Sequence, residues 1–251
     1  PRPPRQRGEA MKIFAAVDLK SFRIIHAVEI MIGVELGAHA VDLYVRDMRE
    51  ALEIVKNTHA EIGPVAAYSV GPMTIKECKC VGPDGLAVVL IEVDKRRPSV
   101  LDSSAHVVFS EVHSAVYVVD SIDAAAGFWK DAGLKALLDA TFAQPTVAEF
   151  MHLPRPDTNL RLALFADEGQ FPIRLEMIEF PDADGRNAPL ITALPLRPGR
   201  FLFGFEVENV PGAVAALNGA DYSKVCRLGT LAAVTGVAPG GVGFELLSSA
   251  H

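Results

Sequence analysis

The sequence predicts an α+β fold made of repeated β-α-β-β-β units, and three observations carry that reading. First, three segments share one order of features: AVDLYVRDMREALEIV (40–55), HSAVYVVDSIDAAAGFW (113–129) and LFGFEVENVPGAVAAL (202–217). Each is an apolar strand, then an acidic or amide turn residue, then an amphipathic helix. Second, each is followed by short strand-like stretches and closes on a similar apolar strand: GLAVVLIEV (85–93), FPIRLEMIEF (171–180) and GVGFELLSS (241–249). Third, a unit of this kind cannot cover both faces of its own sheet, so units are expected to pair.

The elements follow in order. Asp47, Asp120 and Asn209 suit the strand-to-helix turns, because a short side-chain acceptor can satisfy the first free amides of a helix. Helical spacing then places Ala51, Leu52 and Val55 on one face in the second unit, Ala125, Phe128 and Trp129 in the third, and Val214 and Leu217 in the fourth. A partial first unit is read from the start of the chain. PRPPRQRGEAMKIFAAVDLKSFRIIHAVEIMI lies well over LPRPDTNLRLALFADEGQFPIRLEMIEF, which brings Glu29 level with Glu176 after two extra residues. Residue 1 is then expected to sit midway through that unit, whose opening strand and helix are missing. The polar, proline-bearing DKRRPSVLDSS (94–104) separates two pairs of units. The expected layout is a first domain over 1–96, a linker over 97–108 and a second domain over 109–251.

Composition narrows the classes of function. Half of the residues are hydrophobic, 22% are charged, and mean hydropathy is +0.25. No apolar run approaches the ~20 residues needed to cross a bilayer, so no membrane partner is expected. The net charge of −7, without a dense Lys/Arg tract, argues against nucleic acid. Cys78, Cys80 and Cys226 lack the spacing of a zinc ribbon or disulfide framework. Cys78 and Cys80 read as adjacent core thiols on one strand face, and a reducing cytoplasm is the expected location.

The stretch HSAVYVVDSIDAAAGFWKDAGL (113–134) and the turn GPDG before AVVLIEV resemble the vicinal oxygen chelate superfamily. That superfamily includes glyoxalase I, bleomycin-resistance proteins, extradiol dioxygenases and fosfomycin-resistance enzymes. The resemblance covers nearly the whole chain and specifies fold better than reaction. It implies units paired into two half-barrel, glyoxalase-like domains, each a cup that can hold a divalent metal. Ligands would come from the first residue of the opening strand and a carboxylate on the closing strand of each unit. Carried over position by position, it implies His113 and Glu176 in the third unit and Glu245 in the fourth, where Leu202 fills the opening position. Ala40 and Val89 fill the corresponding positions of the second unit, so the first domain is expected to be metal-free. His39, one residue from Ala40, should face the other side of its strand.

The physical reading stands beside the resemblance. Glu176 and Glu245 lie in strands of Ile, Leu, Met and Phe, where an unpartnered carboxylate costs several kcal/mol or takes up a proton. A shared cation with His113 would offset that cost, and one His with two carboxylates matches Fe, Mn, Ni or Zn. Without a metal, the same three residues form an acid/base cluster or a polar lining. Tyr117 and Glu206, four residues along from positions 113 and 202, are candidates for an acid or base at the mouth. His152, read as lying on a middle strand, and Arg161 are candidates for contacting substrate; Arg161 and Arg174 could bind an anionic one or stand on a solvated strand face. The implied function is isomerase- or lyase-like chemistry on a small oxygenated molecule. A non-catalytic binding protein of the bleomycin-resistance type and an extradiol-type dioxygenase are the alternatives; the dioxygenase lacks a second histidine at 202. A homodimer is compatible with the resemblance.

Overall fold

The computed structural model describes residues 13–14, 37–151, 153, 155–167, 173–181 and 203–249. Strand β1 (Ile13–Phe14) is followed by a unit of β2 (Gly37–Val45), α1 (Met48–Val55), β3 (Glu61–Val70), β4 (Met73–Val81) and β5 (Ala87–Val93). After a short helix α2 (Val100–Ser103) comes β6 (Phe109–Val118), α3 (Ile122–Asp131), β7 (Lys135–Phe142), α4 (Pro145–Phe150), β8 (Leu160–Ala166) and β9 (Arg174–Glu179). The last unit is β10 (Phe203–Glu206), α5 (Val210–Ala216), β11 (Asp221–Tyr222), β12 (Cys226–Leu228), β13 (Leu231–Val237) and β14 (Gly243–Ser249). Among the described residues the repeated unit is thus present three times, with α4 as an insertion in the middle copy.

The helix starts follow the expected chemistry, with one shift. The Asp47 and Asn209 side chains accept from Glu50 N and Gly212 N. In α3 the cap is Ser121, whose hydroxyl accepts from Ala124 N, rather than Asp120. A hydroxyl one residue later fills the same role equally well.

Eight strands form a curled half-barrel sheet in the order β3-β4-β5-β2-β6-β9-β8-β7. Its centre is the antiparallel pair β2 and β6, so the unit at 37–93 pairs with the unit at 109–179. The second sheet runs β1-β10-β14-β13-β11, with β12 on β13. Strands from either side of the segment 97–108 are therefore neighbours in one sheet. The apolar faces of β2 and β6 complete one another across that segment. The intervening segment is no loose linker: Leu101 is buried, and the Arg46 guanidinium donates to the carbonyls of Leu101 and Ser104.

Two apolar layers flank the large sheet. On the side of α1 and α3, Phe128 and Trp129 pack with Ala115, Tyr117, Leu175 and Met177 of the sheet and with Phe205, Phe244 and Leu246 of the second sheet. Cys78 and Cys80, both buried free thiols, face α1 in a smaller cluster, as expected. On the opposite, concave side, α4 inserts Val147 and Phe150 against Ala40, Val89, Val116, Val118 and Ile178. Gln144 beside α4 donates to the Ser69 carbonyl (3.0 Å), tying the helix to the far half of the sheet. One end of the concave face is therefore filled with hydrocarbon.

Candidate functional site

The rest of the concave face is polar, and its rows follow from strand register. Asp42 of β2 lies opposite Ser114 of β6, which lies opposite Arg174 of β9. Glu176 is two residues along β9, opposite Val116. On the other half, Tyr44 lies opposite Ile91, which lies opposite Glu77 of β4.

His113 reaches this group through a β-bulge. Asp42 pairs with Ser114 and Leu43 with Val112, which leaves His113 as the extra residue of β6. A bulge of this kind breaks strict alternation and re-aims a side chain. The imidazole stacks on the Tyr44 ring at 3.7 Å, and its Nδ1 lies 2.9 Å from Arg174 Nη2 and 3.0 Å from Ser114 Oγ. Burial and the guanidinium groups of Arg174 and Arg97 hold His113 well below the usual histidine range, so the ring is neutral.

The same device operates once more. Ala38 pairs with Tyr117 and Ala40 with Val116, leaving His39 as the extra residue of β2. Its Nε2 lies 3.5 Å from Nζ of Lys79, which is two residues from Glu77 on β4 and lies opposite Val89 of the concave cluster. The bulge thus overturns the expectation that His39 faces away. Burial pushes the Lys79 ammonium below its ordinary value.

Three carboxyl groups share the face. Burial drives Asp42 well above the usual carboxylate range, and the neighbouring Glu176 and Glu77 add to it against the pull of Arg174. Burial also raises Glu176, but Arg174 and hydrogen bonds from Asp42 and Ser114 oppose the shift. Both carboxyl groups are thus held above the ordinary range, Asp42 the more strongly, and a hydrogen bond joins them. Burial lifts Glu77 to about 7, tempered by a hydrogen bond from Tyr68, and burial beside Glu77 keeps the Tyr68 phenol protonated. Like-charged groups held this close cannot all ionise readily, and all three are pushed upward.

The expected site residues are divided by this geometry. His113 and Glu176 come together with Arg174 on neighbouring strands. Glu245 lies on β14 of the other sheet, opposite Gly204 and Thr235, half-buried and raised by burial. No group of three His, Cys, Asp or Glu side chains able to hold a metal forms among the described residues. The expected donor set His113, Glu176 and Glu245 does not fit a shared ion, because two sheets separate its members.

Tyr117 is not at the mouth. It is 1% exposed in the layer between the sheets and donates to the Gly243 carbonyl (3.1 Å). The bulge at 113 is the reason, since it takes Tyr117 and His113 to opposite faces. Glu206 is exposed at the end of β10. Arg161 is engaged by carboxylates, with Asp123 and Asp139 at 2.8 Å and Glu179 at 3.7 Å, so it clamps α3 and β7 to β8 and β9. His152, Glu29 and Leu202 lie outside the described residues; the segment before His152 is the helix α4. Asp42, Glu77 and Tyr68 were not singled out from sequence. Their signal is an acid or phenol on the inward-facing register of β2, β3 and β4.

The architecture, a half-barrel of paired β-α-β-β-β units with a polar concave face, is a glyoxalase-like fold. The chain is similar to a glyoxalase I variant from Zea mays (TM-score 0.57, 15% identity, 84% of this chain and 67% of that one). It is also similar to a candidate dioxygenase from Bacillus subtilis subsp. subtilis str. 168 (TM-score 0.52, 11% identity, 86% of this chain and 62% of that one). The chain thus spans about two thirds of the length of these proteins, and the likeness is one of fold. No family model matches the sequence, and no curated protein matches it at a significant level.

Proposed function

We propose that the concave face of the eight-stranded sheet is an acid–base centre that moves a proton on a small oxygenated organic substrate. The observation that carries this reading is Glu77, raised to about 7, on the same face as a hydrogen-bonded Asp42–Glu176 pair. A base poised near neutral pH and an acid that keeps its proton are the two groups an isomerisation needs. Glu77 would take a proton from carbon next to a carbonyl, and Asp42 would donate a hydrogen bond to the oxygen that gains charge. Return of the proton to the same or the neighbouring carbon completes the reaction. The apolar end of the cup, lined by Val116, Val118, Ile178 and α4, would exclude water from the carbon skeleton. The similarity in fold to glyoxalase I supports a small-molecule cup without specifying the reaction.

The test is solvent exchange. A panel of 2-hydroxy and 2-oxo compounds is incubated with the protein in D2O and followed by proton NMR. Carbon-bound deuterium should appear with wild type and fall at least ~100-fold in Glu77→Gln, the scale expected of a general base. Saturable binding of the panel with no exchange at any pH would show a binding protein and sink the enzymatic reading.

A further inference from the structure

The hydrogen bonds around His113 fix which of its nitrogens carries the proton. A guanidinium group can only donate. Arg174 Nη2, 2.9 Å from Nδ1, therefore donates to that nitrogen, which must present its lone pair. Arg174 Nε donates in turn to Ser114 Oγ (3.2 Å), and the Ser114 hydroxyl is left to point at Glu176. An imidazole whose Nδ1 accepts a hydrogen bond carries its proton on Nε2. That Nε2–H is buried and has no hydrogen-bond partner among the described residues, in a side chain that is 1% exposed. An unmet buried donor costs about 1–3 kcal/mol, which a folded protein retains where a partner arrives later.

The surroundings define that partner. Arg174 is in contact with the ring, and Arg97 is close enough to act on both His113 and Arg174. Tyr44 covers one ring face. Arg174, Arg97 and Ser114 bring donors and positive charge to the ring, with Asp42 at the far end of the Ser114–Arg174 row and Glu176 and Glu77 in the adjoining rows. A metal ion is the wrong partner for Nε2, because that nitrogen carries a proton in the form Arg174 enforces. An oxygen with negative charge is the right one.

We propose that His113 is a hydrogen-bond donor to a carboxylate group of the substrate, with Arg174 as the residue that positions it. The proposal deepens the acid–base reading by naming a small organic carboxylate as the substrate class, and it rests on that reading only for the location of the cup. One end of the substrate would be held by His113 while the carboxyl cluster handles its acidic C–H.

The experiment is 15N NMR on histidine-labelled protein, with acetate as the probe and acetamide as its neutral counterpart. In wild type, the His113 shifts should report protonated Nε2 and bare Nδ1. Acetate should move the Nε2–H signal saturably, and acetamide at equal concentration should not. His113→Gln keeps an N–H donor near the same place and should hold acetate within about threefold, whereas His113→Phe should weaken it at least ~10-fold. Protonated Nδ1, an Nε2–H signal that acetate does not move, or stoichiometric binding of Ni2+ or Zn2+ at Nε2 would each overturn the proposal. The two readings can be separated with Glu77→Gln. That variant should lose exchange but keep the acetate response, whereas wild type that shows no exchange yet responds to acetate refutes only the acid–base reading.

Discussion

Glu77→Gln gives the most quantitative test of the buried carboxyl groups, because it reads the site through stability and needs no substrate. Glu77 has an ordinary value of 4.5 and is lifted to about 7 in the folded protein by burial. A carboxyl group raised in this way binds its proton more tightly when folded. Its contribution to stability is full below about 4.5 and is lost as pH rises through about 7. The span is about 2.5 pK units, and at 1.36 kcal/mol per unit it corresponds to about 3 kcal/mol. Asp42 and Glu176 titrate in the same direction, so the useful quantity is the difference between wild type and variant. Glutamine is neutral at every pH and keeps an acceptor for the Tyr68 phenol. Urea denaturation from pH 4 to pH 8 should show the two proteins close in stability at the acid end. The variant should then gain by about 3 kcal/mol relative to wild type by pH 8. A difference that is flat with pH, or one that favours wild type as pH rises, would refute the burial argument for Glu77.

Three further outcomes follow from packing and charge. Gly240 has φ of +82°, and a Cβ there would meet the Cβ atoms of Ala125 at 3.1 Å and Val119 at 3.3 Å. Gly240→Ala should cost at least about 1–2 kcal/mol in thermal or urea unfolding, because it adds left-handed strain to a tight approach against α3. Trp129→Ala empties the layer where Phe128, Phe205 and Phe244 meet the indole, and should cost about 3–5 kcal/mol by circular-dichroism-detected urea unfolding. Arg161→Ala should leave affinity for small carboxylates unchanged. Its modest loss of stability should shrink as salt is added, since its partners lie at the surface.

The repeat was legible in the sequence because strand, cap and helix signals recur in the same order at 40–55, 113–129 and 202–217. Local chemistry writes those signals, so they survive into the structure with only the move from Asp120 to Ser121. Pairing of units was not legible, because each unit has the same kind of apolar face and nothing local states which copy it meets. The site was half legible for a different reason. Register arguments found His113 and Glu176, but they assumed unbroken alternation along β6. The extra residue at 113 invalidates that assumption, returning His113 to the cup and sending Tyr117 into the core. Glu77 and Tyr68 lie on strands that carried no expected ligand position, so only their three-dimensional neighbourhood reveals them.

The junction of β2 with β6 also bears on the order of folding. The two halves of the eight-stranded sheet, 37–93 and 109–179, are neighbours in sequence, so closing them needs only the short segment that holds α2. The second sheet instead joins Ile13–Phe14 to strands beyond residue 203, a closure that spans almost the entire chain. Loop-closure entropy must be paid before such distant contacts give anything back, so the large sheet has the kinetic advantage. On a ribosome, the polar cup would be complete in outline while β10 to β14 were still being made. The outer faces of Phe128 and Trp129 would wait, uncovered, for the last strands to arrive.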